Sequence, residues 1–227
     1  MALTATNVLT RAADIIQDQT NIKWPIEELL RYLNDGRREV AIVRPDLFAT
    51  SVAHALVAGT KQTIPSDGLR FIDGVRNVSS TNVIGKAVRI AERAVLDQQR
   101  PGWHIEDPST DLKHFMVDER NPKVFYVHPP ATAGHKMEIV YLKTPTEIEV
   151  ADVETAELTE EDIYVGALVD YVCYRAFSKD AEYAGNADRA TRHAAAFAAT
   201  LGVGRKVSLG NTPNQANVGG MPPRQTA

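Results

Sequence analysis

The chain has 227 residues, a net charge of -4 and a single cysteine. With 44% hydrophobic and 24% charged residues it has the balance of a soluble globular protein large enough for one core or a core with a satellite domain. Nothing in that balance demands nucleic acid or an anionic membrane, lone Cys173 excludes an internal disulfide, and no stretch approaches the ~18 apolar residues of a bilayer span. The opening Met-Ala-Leu-Thr has neither a basic nor an apolar leader region, so the expectation is a soluble chain made in a reducing cytoplasm.

Val8, Leu9, Ala12, Ile15 and Ile16 recur at helical spacing and predict a first helix from Thr4 or Thr6. Trp24-Pro25 opens a second, with Pro25 at the favoured first position. Ile26, Leu29, Leu30, Leu33, Val40 and Ala41 form its apolar stripe, and Arg44-Pro45 stops it. Gly36, inside that helix, costs about 1 kcal/mol relative to Ala, which is consistent with chance or with close approach of another element. The middle of the chain changes character. Residues 51–57, 61–64, 69–78 and 87–90 read as strands, with a possible bulge at Gly74, and 92–98 as one or two helical turns. Residues 113–117 and 123–128 form a hairpin ended by Pro129-Pro130, and 136–142 is a further strand. From Thr159 to Gly202 the pattern is helical again. Thr159 is the predicted N-cap, with Glu160, Glu161 and Asp162 at the positive end of the dipole. Ile163, Ala167, Tyr171 and Tyr174 carry the stripe, with Leu168 and Val172 beside them. After a turn within 178–187 a last helix follows, with Ala190, Ala194, Phe197, Ala198 and Leu201 on one face and Gly202 as its C-cap.

These elements predict an α+β fold. An antiparallel helical bundle is built from the N- and C-terminal helices, residues 1–46 and 158–202. A small antiparallel β-sheet or sandwich, 47–157, is inserted between them. Residues 203–227 are rich in Gly, Pro and Asn and are expected to form an extended tail, disordered when free.

Charge is unevenly placed. Nine acids and no Lys or Arg lie between Thr144 and Tyr174, whereas five bases and no acid follow Asp188. Glu147, Glu149, Asp152 and Glu154 are therefore candidates for an acidic inter-subunit face. Arg205, Lys206, Val207, Leu209, Val218 and Met221 are the candidates for partner docking. No chemistry-bearing pattern appears. The six histidines lack metal-ligand spacing, no phosphate-binding glycine loop or nucleophile elbow occurs, and Cys173 sits in an apolar stripe. His114 and His128 flank the hairpin and are expected as cross-strand neighbours. Trp24 and Trp103 read as packing anchors rather than base-stacking platforms. No catalytic residue, cofactor or metal is predicted.

Several segments together resemble the head-to-tail adaptor (connector) proteins of tailed bacteriophages, especially short-tailed ones. They are Trp24-Pro-x-x-Glu-Leu-Leu-Arg-Tyr-Leu-Asn-Asp-Gly36, Arg44-Pro-Asp46, Val57-Ala-Gly-Thr-Lys-Gln-Thr-Ile-Pro65, Arg76-Asn77, and the Asp162–Tyr183 run. The likeness covers most of residues 5–202. It implies a structural virion protein, twelve copies of which form a ring below the portal around a DNA channel, with the acidic stretch that holds Glu147, Glu149, Asp152 and Glu154 either lining that channel or facing solvent. Its implied partners are the portal, other copies of itself, tail nozzle or tube proteins, and double-stranded DNA passing non-specifically, with no membrane. Its implied place is the neck of the virion, after synthesis in the host cytoplasm, with residues 203–227 docking on the portal. The alternatives are another neck or tail-completion ring protein, and a small metal-dependent hydrolase using the hairpin histidines.

Overall fold

The computed structural model describes residues 4–210 apart from Ser80, Thr159, Glu161 and Ala184. Among these are five α-helices: α1 (Ala5–Ile16), α2 (Ile26–Val43), α3 (Arg93–Gln99), α4 (Val165–Lys179) and α5 (Asn186–Gly210). The strands are β1 (Ala49–Ala55), β2 (Gly59–Thr63), β3 (Gly68–Val78), β4 (Ile84–Ala87), β5 (Arg89–Ile90), β6 (His114–Val117), β7 (Val124–Ala131) and β8 (Lys136–Lys143). The fold is α+β. It divides into a helical unit, Met1–Leu47 with Pro145–Ala227, and a β unit, Phe48–Thr144.

Within the helical unit, α1 starts in a capping box: Asn7 N–H donates to Thr4 Oγ1, and Thr4 N–H donates to Asn7 Oδ1 at 3.0 Å. It ends at Gln17, which takes the left-handed conformation. Pro25 is the N-cap of α2 rather than its first helical residue, and Arg44 closes that helix before Pro45. α4 packs against α1, α2 and α5. It buries Ala167, Leu168, Val169, Tyr171, Val172, Cys173, Ala176 and Phe177, a distribution too wide for a single stripe. The Tyr171 ring meets Phe197 of α5 edge-on, 5.0 Å between centroids. On its other side Tyr171 lies against Gly36 of α2, where an added Cβ would stand 2.9 Å from Cδ1. Gly36 is thus the place where α2 and α4 approach, the close approach that its sequence allowed.

Six local expectations are corrected. α4 begins at Val165 behind a 3-10 turn, Asp162–Tyr164, so the predicted start lies too early; Thr159 and Glu161 are outside the described residues. Glu160 is buried rather than displayed at a helix end, and Ile163, assigned to the stripe, is 69% exposed because the 3-10 turn rotates it off the α-helical phase. Gly202 does not end α5, which continues to Gly210. Its φ is not positive, so it lacks the left-handed geometry of a glycine cap. Residues 203–210 are therefore helical, not extended, and the remainder of the predicted tail, 211–227, lies outside the described residues. In the β unit, Pro129 and Pro130 do not end β7. They fall in a break of register between the pairs Gly59↔Ala131 and Lys61↔Tyr126, where a missing N–H costs no ladder bond.

The β unit holds two four-stranded sheets, ordered β1-β8-β3-β4 and β2-β7-β6-β5. All pairs are antiparallel except β5 with β6. One apolar cluster joins them, with Phe71 of β3 stacked on Phe125 of β7 at 4.2 Å and meeting Phe115 of β6 edge-on. Register shifts in the β3–β8 pairing, one of them between Gly74 and Arg76, bend β3 around this core. Asn77 is fully used: its side-chain NH2 donates to the carbonyls of Lys86 and Leu112, and its oxygen accepts from Leu112 N–H and bonds His135 Nε2.

Two measurements check the helical packing. Gly36→Ala forces a methyl group against the Tyr171 ring and is expected to cost about 1–3 kcal/mol in urea unfolding, although Ala is the better helix former. Burial pushes the Cys173 thiol up to about 12, so at pH 8 it stays protonated and should react with a disulfide reagent only after denaturant is added.

Candidate functional site

The acidic segment after Thr144 is laid across α2 by three side chains within little more than one turn. Asn34 Nδ2 donates to Ile148 C=O at 3.0 Å, and Ile148 N–H donates back to Asn34 Oδ1 at 3.1 Å. Arg37, 2% exposed, donates from Nη1 to Thr146 C=O at 2.6 Å and from Nε to Glu160 Oε1 at 2.9 Å. Arg38 reaches Glu147 Oε2 at 3.0 Å. Further along, Thr6 of α1 bonds Val153 C=O through its hydroxyl at 2.9 Å, and Ala5 N–H reaches Ala156 C=O. Ile148, Val153 and Leu158 point inward and are buried. This strap, 145–158, is therefore fixed on one side, and Glu147, Glu149, Asp152 and Glu154 are left exposed on the other.

The four acids predicted as one face do share a segment and a solvent exposure. They differ in pairing: Glu147 is neutralised by Arg38, whereas among the described residues Glu149, Asp152 and Glu154 have no Lys or Arg partner. Of the predicted docking residues, Arg205, Lys206, Val207 and Leu209 lie on the helical backbone of α5, and Val218 and Met221 are outside the described residues. The sequence reading did not single out Asn34 or Arg37, and it placed Glu160 at a helix start rather than in a buried ion pair. A signal was present in α2, because Leu33, Arg37 and Val40 keep the i, i+4, i+7 phase of the buried stripe, which puts the guanidinium on the apolar face.

The hairpin histidines do meet. His114 and His128 are directly paired in β6 and β7, with rings 6.0 Å apart and nearly parallel. His128 Nε2 is 3.1 Å from Glu106 Oε2, while both Nδ1 atoms are buried without a hydrogen-bond partner. Burial, aided by the neighbouring His128, Arg89 and Lys113, lowers the His114 pKa and favours a neutral ring. Among the described residues no three His, Cys, Asp or Glu side chains gather as a metal-holding group. Trp24 and Trp103 are both buried, and Trp103 Nε1 donates to Asp97 Oδ1 at 2.9 Å, as packing anchors do. Among the described residues no helix is long and apolar enough to cross a membrane.

A family profile described as SU10 adaptor protein matches residues 3–218. No curated protein matches the chain.

The Arg37–Glu160 pair gives the strap a definite energetic signature. Removing one partner of a buried ion pair strands the other charge, so Arg37→Met should lower unfolding stability by about 3–5 kcal/mol. Adding Glu160→Leu to that variant removes the stranded carboxylate and is expected to restore most of the loss, a non-additivity that a double-mutant cycle in urea measures.

Proposed function

Since this chain belongs to the SU10 adaptor protein family, we propose that it is a structural virion protein whose copies form a ring joining a phage portal to the tail. An adaptor's task is to present surfaces to neighbours, which makes it structural rather than catalytic. The observation that carries this reading is the reach of the family match: residues 3–218 take in both the helical unit and the inserted β unit, so it is the whole architecture that is an adaptor's. In the ring we assign the N- and C-terminal helices to an antiparallel bundle that forms the scaffold of each subunit. The ring holds twelve copies at the neck of the virion, with the portal on one side and a tail nozzle or tube protein on the other.

The strap contributes surface charge. Glu149, Asp152 and Glu154 stand exposed on a segment pinned to α1 and α2, so their carboxylates hold position without partners of their own. Facing the passage, they repel the phosphates of double-stranded DNA and keep it from sticking as it passes. Facing a neighbouring subunit, they match the bases of its α5, where Arg189 and Arg192 are exposed. The C-terminal stretch from Arg205, with Lys206, Val207, Leu209, Val218 and Met221, carries net positive charge and sparse apolar residues and docks on the portal.

Sedimentation of the purified protein with portal rings tests the assignment. The full chain should co-sediment with the portal. A chain lacking residues 204–227 should keep its thermal unfolding midpoint and lose portal affinity at least tenfold. Unchanged affinity of the shortened chain would move the docking surface elsewhere, and no complex with the full chain would overturn the portal-joining role.

A further inference from the structure

We propose that the sheet β1-β8-β3-β4 continues from subunit to subunit, the β1 edge of one copy pairing with the β4 edge of the next. This rests on the ring reading above and adds the surface through which the copies would meet.

The argument starts from β1. It reads Ala49-Thr-Ser-Val-Ala-His-Ala55, seven residues without a charge or a proline, and it pairs with β8 in unbroken register. Sheet edges in isolated proteins are guarded by Lys, Pro, bulges or shortness, because a bare edge recruits other strands. β1 has none of these guards. Leu56 N–H donates to His135 C=O and so fixes the phase of the ladder. Alternation along an antiparallel pair then turns the N–H and C=O of Ser51 and Ala53 away from β8. Among the described residues these groups meet no other backbone.

The opposite edge of the same sheet also has no further strand partner among the described residues, although β4 is short and carries Lys86. β4 pairs only with β3, and all four of its residues are exposed, Ile84 at 62%. Strand direction selects the match. Every pairing in the order β1-β8-β3-β4 is antiparallel, so β1 and β4 run in opposite senses. Copies related by rotation about an axis along the strands would lay β1 of one against β4 of the next, antiparallel, continuing the pattern inside the subunit. Ser51 and Ala53 of β1, which pair with Val140 and Glu138 of β8, lie on the same face of the sheet as Ile84, whose partner Val78 pairs with Lys136. Pairing β1 with a second β1 is a two-fold contact that stops at a dimer, whereas β1 with β4 is a head-to-tail contact that repeats until a ring closes.

Two sets of variants in the full chain, assembled alone and on portal rings, test this. Ser51→Cys with Ile84→Cys, two positions on one face of the sheet, treated with a short bismaleimide, should give a ladder of covalent multimers on a denaturing gel, while each single variant gives no product beyond a dimer. Buried Cys173 does not compete. Ala53→Pro removes an outward N–H and leaves the β8 ladder intact, so it should reduce the ring population at least tenfold without changing the unfolding midpoint of the monomer. Rings that persist in Ala53→Pro, or that form without a ladder in the double cysteine variant, overturn the edge-to-edge contact and leave the adaptor ring standing. A wild-type chain that forms no ring, alone or on the portal, overturns both.

Discussion

The burial of α4 is the constraint on which the helical unit depends. A helix that hides residues 167–169, 171–173, 176 and 177 needs neighbours around most of its circumference, and no adjacent segment of chain can supply them all. α1 and α2 come from the beginning of the chain, α5 from its end, and all three pack on α4. The intervening 48–144 must therefore leave and return, and it does so as a compact unit with its own core. Gly36 shows how close the required approach is, because a single methyl there would meet the Tyr171 ring.

The return path is fixed by polar contacts rather than by apolar area alone. Asn34 reproduces a backbone-like pair of bonds with Ile148, and Arg37 ties Thr146 and Glu160 to one guanidinium. Exposed pairs such as Lys179 with Glu28 link α4 to α2 at 2.7 Å but add little, since water and salt screen them. The buried pair differs in kind. Its worth lies less in net stability than in the penalty for any arrangement that leaves Arg37 without its partners, which is a means of specifying one path for the strap. The acids that this path leaves outside are then held in place by bonds made on the opposite side of the chain.

In the β unit the same division between inside and edge recurs. The facing sides of the two sheets are closed by Phe71, Phe115 and Phe125, and Asn77 with His135 satisfies the polar groups beneath the β3–β4 corner. The outer edges are not closed in this way. Among the described residues β1 presents an unpaired edge free of charge, proline and bulge, whereas β4 at the other edge is short and carries Lys86.

Much of this was legible in the chain itself. The 3.6-residue periods of α1 and α2, the hairpin that pairs His114 with His128, and the resemblance carried by the Trp24–Gly36 and Asp162–Tyr183 runs depend on neighbours close in sequence. Local chemistry decides such features, so the residues alone determined an α+β adaptor with helices at both ends and strands between. Tertiary structure decided the rest: that Glu160 is buried on Arg37, that β7 runs through Pro129 and Pro130, that α5 passes Gly202, and that β1 keeps an open edge. The reason is the range of the forces involved. Propensity and periodicity act over a few residues. Whether a carboxylate is buried, a proline falls in a register break, or an edge is left bare is set by partners distant in the chain and brought together only by folding.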